Sequence, residues 1–341
     1  MADRVLVTGI TGYIASHVAA RLLAKGYLVR GTVRSRAKGR RVMDAMANEG
    51  LDISDVELVE ADLGADAGWR DACADCRYVQ HIASPFPLEP PSDREALVPE
   101  ARAGAQRVLE NGFSAGVERI VMTSSMVAVM AQPGRPREKT YGEDDWSDPD
   151  WKPLSAYAVS KTRAELSAWA YAEAQGFRDR LVTVNPGLVL GPDPFENGGA
   201  SLAVVRDLMR GEFPALPKLA YPLIDIRDCA SIHVAAMERE AAAGRRLLAA
   251  GKTLSFSEIA DIIREAYPQA KLPSREAPSF ALKLLSLFDD RIKPIVGDLG
   301  HMPHADTAYV TSLTGVVPRP ARETVIATAD ALVENGEVEF G

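Results

Sequence analysis

Residues 4 to 26 read RVLVTGITGYIASHVAARLLAKG. The opening RVLVT (Arg4 to Thr8) is a β-branched run of the kind that makes a buried strand. GITGYIA follows at once. The remainder sets Val18, Leu22 and Leu23 on one face and stops at Gly26, the pattern of a helix with a glycine end. Strand, glycine turn and helix together make a phosphate site. The glycines allow a tight turn and close approach of a pyrophosphate, and the helix N-terminus offers free N–H groups and a positive dipole end. The spacing is Gly9, Gly12, Ala15; alanine in the third place suits a position whose task is helix–strand packing.

The next strand, Tyr27 to Val33, ends in Arg34-Ser35-Arg36-Ala37-Lys38. In a dinucleotide fold the residue after this strand meets the adenosine ribose. A carboxylate there binds the 2′-hydroxyl of NAD, whereas arginine accommodates the 2′-phosphate of NADP. No acidic residue occurs in this stretch before Asp44. Arg34, with Ser35 and Lys38 beside it, therefore predicts NADP(H) in preference to NAD(H), because a guanidinium can give a phosphate two parallel hydrogen bonds.

Further strands are expected at Val56–Glu60, Arg77–Ala83, Arg119–Thr123 and Leu181–Asn185, with helices at Glu100–Ala115 and Ala156–Gln175 between them. This alternation predicts an α/β fold: a doubly wound, mainly parallel sheet with helices on both faces and ligands beyond the C-terminal strand ends. At those ends stand Asp62, whose carboxylate could accept from an adenine amino group, and Ala83-Ser84-Pro85, small enough for the chain to pass a cofactor. The expected organisation is a dinucleotide-binding unit over residues 1–190, with returning segments near 222–250. Residues 191–221 and 251–341 form mainly a smaller substrate-binding lobe and C-terminal helices. In the second half a helix is expected over Leu202–Arg210, irregular chain over Gly211–Leu223, a return to the sheet edge at Leu247–Ala249, and broken helices over Ser255–Leu299.

The run SAYAVSKTRAEL carries Tyr157 and Lys161 four residues apart, one helical turn, so phenol and ammonium share a helix face. A nearby cation is expected to lower the tyrosine pKa from its ordinary value of about 10. A phenol so tuned can give a proton to a carbonyl oxygen or take one from an alcohol.

The chain has 341 residues, enough for a large core, and a formal net charge of −8. Neither nucleic acid nor an anionic membrane suits that field. No apolar run approaches the roughly 18 residues of a membrane span, and the N-terminus leads straight into a strand, so no signal peptide is expected. Three cysteines do not make a disulfide framework and indicate a reducing cytoplasm. Cys73-x-x-Cys76 lacks the second pair that zinc needs. Pro303 between His301 and His304 disfavours the regular helix that an H-x-x-H site would use, so no metal ligand set is read. His233 falls among apolar helix neighbours and is expected in the core. Trp146 and Trp151 are expected to be structural, and Asp144-Asp145 a solvated turn.

The segments VTGITGYIASHV, YLVRGTVRS, HIASPF, RIVMTSS, SAYAVSKTRAE, VNPGLVLGP, PLIDIRDCASIHVAAM and TSLTGVVPRP resemble the extended short-chain dehydrogenases/reductases. Among these they are similar to the dihydroflavonol 4-reductase, cinnamoyl-CoA reductase and aldehyde reductase group. The resemblance implies Ser125, Tyr157 and Lys161 as catalytic residues, with Ser125 preferred to Ser124 because it directly precedes the apolar stretch MVAVM. It implies a cofactor site of Gly9, Thr11, Gly12, Tyr13, Ile14, Arg34, Ser35 and Lys38 at the adenosine and diphosphate end. Asp62, Leu63, Ala83, Ser84, Pro85, Thr123, Tyr157, Lys161, Pro186, Gly187, Leu188 and Val189 complete it. Phe86, Ser125, Phe195 and Tyr221 would contact the substrate, a small carbonyl compound or alcohol. A homodimer is compatible with the resemblance. Many family members carry an asparagine where this chain has Arg107, which leaves a proton relay through that position without its usual residue. A nucleotide-sugar epimerase or dehydratase and a hydroxysteroid-type dehydrogenase share the Tyr–Lys pair. Arg34, and Met126-Val127 in place of the acid pair of the dehydratases, weigh against the first. A non-catalytic NADP sensor would have little use for an intact Tyr–Lys pair.

Overall fold

The computed structural model describes residues 2–85, 91, 93–288 and 292–340. The chain begins as its periodicity requires: β1 (Arg4–Val7), α1 (Tyr13–Ala24), β2 (Leu28–Val33), α2 (Arg36–Asn48), β3 (Glu57–Glu60), α3 (Trp69–Cys73), β4 (Tyr78–His81), α4 (Val98–Ser114) and β5 (Arg119–Thr123). It continues through β6 (Glu138–Tyr141), α5 (Ala156–Ala174), β7 (Leu181–Val184), β8 (Leu188–Leu190), α6 (Ala200–Arg210), β9 (Ala220–Asp225), α7 (Ile226–Glu238) and β10 (Arg246–Leu247). β11 (Thr253–Ser255), α8 (Phe256–Ala266), α9 (Ser279–Leu285), β12 (Met302–Ala305), α10 (Thr307–Thr314) and α11 (Ala321–Glu334) complete it.

Seven strands form one sheet in the order β10-β7-β5-β4-β1-β2-β3, every pairing parallel. Each central strand is buried on both faces, as a sheet covered on both sides demands. Val5 and Val7 share a core with Val18 and Leu22 of α1 and Ile232 of α7. Leu6, between them, packs with Leu109 of α4 and Ala168 of α5. The chain runs outward from β1 to β3 and then crosses back to β4. The order therefore reverses between β1 and β4, the place where open α/β sheets bind ligands.

The second half departs from its expected outline. Gly211–Leu223 is not irregular throughout: β9 starts at Ala220 and is the middle strand of a three-stranded sheet, parallel to β8 and antiparallel to β11. β6 pairs with β12 from the far end of the chain, so His304 lies on a strand, where it meets Glu138 at 3.0 Å. Ser255–Leu299 is less helical than expected: α8, held by a Ser255–Glu258 capping box, and α9 are separated by irregular chain. Close approach explains part of this arrangement. A Cβ on Gly187 would lie 2.1 Å from the carbonyl oxygen of Pro222, so glycine is what lets the chain leaving β7 run against β9.

Candidate active site

A cleft of about 530 Å³ opens at the C-terminal ends of β1, β2, β4 and β5. The glycine turn contributes Gly9, Thr11, Gly12, Tyr13 and Ile14, and the end of β2 contributes Arg34. Asp62 and Leu63 follow β3; Ala83, Ser84 and Pro85 follow β4. Thr123, Ser125, Tyr157 and Lys161 form the inner wall, and Pro186, Gly187 and Val189 the side toward the second sheet. Ser35, Lys38, Leu188, Phe195 and Tyr221 do not line it. Ser35 is the N-cap of α2 and Lys38 is exposed on that helix. Phe195 is buried against the His17 ring at 5.1 Å, and Tyr221 turns its hydroxyl to Asp298 at 3.4 Å. Phe86 lies outside the described residues.

The turn has the features a diphosphate needs. Gly9 adopts φ +62°, and a Cβ there would meet the Ala83 Cβ at 3.0 Å. Its N–H donates to Thr32 Oγ1 at 2.8 Å, while Thr8 Oγ1 accepts from the N–H groups of Ile82 and Ala83 at 2.9 Å each. These two threonines tie the turn to β2 and β4. Gly12 caps α1 without a side chain on the first-turn N–H groups, which therefore remain available to an anion. The Tyr13 hydroxyl bonds the Gly191 carbonyl at 3.1 Å, so its contribution to the turn is the backbone. Arg34 is exposed at the cleft, and among the described residues it makes no ion pair, whereas Arg36 sits 3.6 Å from Glu60. The unpaired guanidinium, the free helix end and the cramped glycine fit a dinucleotide carrying a 2′-phosphate.

At the other end Ser155 caps α5 by accepting from the Ala158 N–H, which sets Tyr157 in the first turn and Lys161 one turn later. The Ser125 and Tyr157 side chains are hydrogen-bonded. Ser124 points away: its Oγ donates to Glu165 Oε2 at 2.6 Å in the buried interior. The adjacent serines are thus distinguished by the strand's alternation. Lys161 Nζ donates to the Thr123 carbonyl at 3.3 Å. Burial pushes the lysine down to about 8, partly opposed by Glu165. Burial also raises the Tyr157 phenol, and the influence that lowers it is the Ser125 hydroxyl. This corrects the expectation that Lys161 tunes the tyrosine downward. The i, i+4 spacing puts both on one face, but the ammonium is held at the β5 carbonyl, and desolvation dominates the phenol.

Arg107 does not face this pair. Its guanidinium bonds Asp66 Oδ1 at 2.6 Å and the Leu63 carbonyl, clamping the segment after β3. Cys73, Cys76 and Cys229 are buried free thiols, the first two pushed up by burial to about 12 and about 11, and no metal-binding group occurs among the described residues. His233 is fully buried, with Thr123 Oγ1 2.8 Å from Nε2. Arg246 stacks 3.5 Å from the Trp146 ring centroid, in keeping with a structural tryptophan. The Asp145 carboxylate is more than solvated: it takes Lys139 and the Gly142 N–H. The cleft also includes Thr32 and the start of α6 from Gly198 to Ser201. The reading of the residues missed these, along with Thr8 and the buried Glu165. Glu165 had a signal: it is a carboxylate one turn beyond Lys161, on the same face of α5.

The family model for the NAD dependent epimerase/dehydratase family matches residues 5–250. A ketoreductase of Aspergillus niger, azaE, is 31% identical over 296 residues, covering 82% of this chain and 87% of that protein. Cinnamoyl-CoA reductase 2 of Arabidopsis thaliana is 34% identical over 279 residues, with 80% of each chain covered. The structure of yeast methylglyoxal/isovaleraldehyde reductase Gre2 complexed with NADPH superposes with a TM-score of 0.79 at 27% identity, covering 98% of this chain and 100% of that one. A match over most of the chain means that this protein belongs to the NAD dependent epimerase/dehydratase family, the extended short-chain dehydrogenases/reductases.

Proposed function

We propose that the protein is an NADP(H)-dependent carbonyl reductase, interconverting an aldehyde or ketone and its alcohol. The observation that carries this reading is the meeting, in one cleft, of the Ser125–Tyr157 hydrogen bond and Lys161 with the Gly9–Gly12 turn and the unpaired Arg34. The relatives named for ketone, aldehyde and CoA-thioester reduction support it.

The α1 N-terminus would hold the diphosphate, Arg34 the 2′-phosphate and Lys161 the nicotinamide ribose. A reduced nicotinamide supplies the hydride when bound. Ser125 orients the substrate carbonyl by a hydrogen bond to its oxygen. Tyr157, with its pKa raised by burial, is neutral near pH 7 and donates its proton to that oxygen; in the alcohol direction it takes the proton back. Lys161 is buried and Tyr157 half-buried at the inner wall of the cleft. Incubating the purified protein with NADPH and a panel of aldehydes and ketones tests the reading. Carbonyl-dependent NADPH oxidation is expected, abolished in Tyr157→Phe; binding without turnover across the panel would identify a sensor instead.

A cytoplasmic location is part of the same reading, supported by three unpaired buried cysteines. Among the described residues no helix is long and apolar enough to cross a membrane. A homodimer is supported by α9 and the turn after it, where Phe280, Leu284, Leu287 and Phe288 are 60–85% exposed, more apolar surface than a monomer ordinarily leaves together. Sedimentation of the wild type against Phe280→Ser/Leu284→Ser measures it; a monomeric wild type removes the dimer.

A further inference from the structure

Behind the reacting groups lies a carboxylate that no part of the proposed chemistry uses. Glu165 is completely buried. Its Oε2 accepts from Ser124 Oγ at 2.6 Å and Asn185 Nδ2 at 2.8 Å. Its Oε1 accepts from Thr183 Oγ1 at 2.9 Å, Arg246 Nε at 2.8 Å and, more distantly, Trp169 Nε1 at 3.4 Å. An ionised carboxylate offers about four lone-pair sites, so this one is saturated. We propose that Glu165 is a positioning residue of the active site, anchoring from behind both the Ser125 segment and the cationic head of Lys161.

The anchoring of Ser125 is two-sided. Ser124, its neighbour, is tied directly to Glu165, and the Asn185 amide that bonds Glu165 also donates to the Ser125 carbonyl at 3.2 Å. Asn185 leads in turn into Pro186-Gly187 on the cleft wall. The anchoring of Lys161 is electrostatic. Glu165 follows it by one turn of α5, and its negative charge favours the ammonium against the burial that disfavours it. The charged and titratable neighbours are few. Arg246 of β10 faces Glu165; His81 of β4 is buried and pushed down by burial and by the charge of Lys161; Tyr157 precedes Lys161 by one turn. Among the described residues, β7 and the chain just after β5 and β7 present neutral groups to Glu165: Thr183, Ser124 and Asn185. A pair kept for stability alone would be a weak device, since a buried ion pair often contributes no more than apolar packing would. Here two of the five donors belong to chain segments that reach the reacting end.

The inference rests on the reductase reading, and its test separates the two. Glu165→Gln and the double variant Glu165→Gln/Arg246→Met, which leaves no unpaired cation in the core, are compared with wild type. NADPH binding is titrated by fluorescence without substrate across a pH series, and turnover is measured separately. In wild type NADPH affinity should hold below about pH 8 and fall above it, as Lys161 loses its charge. Without the Glu165 charge the lysine deprotonates more easily, so the midpoint of that fall should move down by on the order of one pH unit. The same variants should lose about tenfold or more in kcat through misplacement of Ser125, and Ser124→Ala, which cuts one tether and leaves the ion pair, should lose severalfold in kcat with unchanged NADPH affinity. A folded Glu165 variant with wild-type midpoint and kcat would overturn the proposal. If neither Glu165 variant folds, wild-type kcat in Ser124→Ala overturns it. A wild type that binds NADPH but reduces nothing would defeat the reductase reading while leaving the binding midpoint readable.

Discussion

Tyr157 and Arg34 occupy opposite ends of the cleft, and each makes a different measurement decisive. Burial raises the phenol's pKa, so the protonated form dominates at neutral pH, the form a donor to a carbonyl needs. Tyr157→Phe keeps the ring and removes the proton. It should lower kcat by about 10²- to 10⁴-fold and leave the NADPH dissociation constant nearly unchanged; near-normal turnover would remove the acid role. Ser125→Ala should also lower kcat, and by more than Ser124→Ala, because only Ser125 is bonded to Tyr157. Arg34 is exposed, so solvent and salt screen it. Its loss should raise KM for NADPH by about tenfold, the worth of one charge-assisted hydrogen bond, with KM for NADH little affected. Equal losses for the two cofactors would mean that the guanidinium stacks on adenine without holding a phosphate.

Among the elements, β8 and β9 show how narrow the tolerances beside the cleft are. Gly187 has the Pro222 carbonyl where its Cβ would be, at 2.1 Å, and a backbone oxygen cannot yield as a flexible side chain can. Gly187→Ala should therefore destabilise by roughly 1–3 kcal/mol, the usual cost of overpacking, measured by denaturant midpoint. Gly142→Ala, with open space around it, should stay within about 0.5 kcal/mol. An unchanged midpoint in Gly187→Ala would mean that β9 can shift freely. The strands of this second sheet escaped the sequence because β8 and β11 are only three residues long, too short to show an alternation. β9 and β12 carry Pro222 and Pro303, residues that ordinarily argue against a strand. β1, β5 and α5 were legible because buried β-branched runs and a capped helix announce themselves locally.

Taken as one body, the protein buries three of its histidines in neutral form. His81 is pushed down to about 3 by burial and by Lys161, and His17 and His233 to about 4 by burial. His17 lies between Tyr13 and Phe195, His81 beside Thr8, and His233 against Thr123, so all three stand directly behind the cleft. Their folded pKa values lie below the unfolded value of about 6.5. The unfolded chain therefore binds more protons between the two, and stability is complete above about pH 6.5 and declines as pH falls toward 4. Each histidine contributes up to about 1.4 kcal/mol per pH unit in that window. Thermal unfolding at pH 7 and pH 5 should show a clear drop in Tm, flattened in His233→Asn. A Tm independent of pH over that range would mean that these histidines take up protons without unfolding.

The parallel α/β class, the glycine turn, Arg34 and the Tyr157–Lys161 spacing could be read from the chain alone, because each depends on residues adjacent in sequence or one helical turn apart; Ser125 was singled out only by the family resemblance. Three matters depended on contacts between distant segments. Ser124 turns inward to Glu165 while Ser125 meets Tyr157. Lys161 rests on the Thr123 carbonyl and does not lower the tyrosine's pKa. Phe195 and Tyr221 pack into the interior away from the cleft. Burial and partner choice are properties of a side chain's three-dimensional surroundings, and here those come from β4, β5, β7, β10 and the second sheet, tens to hundreds of residues away along the chain.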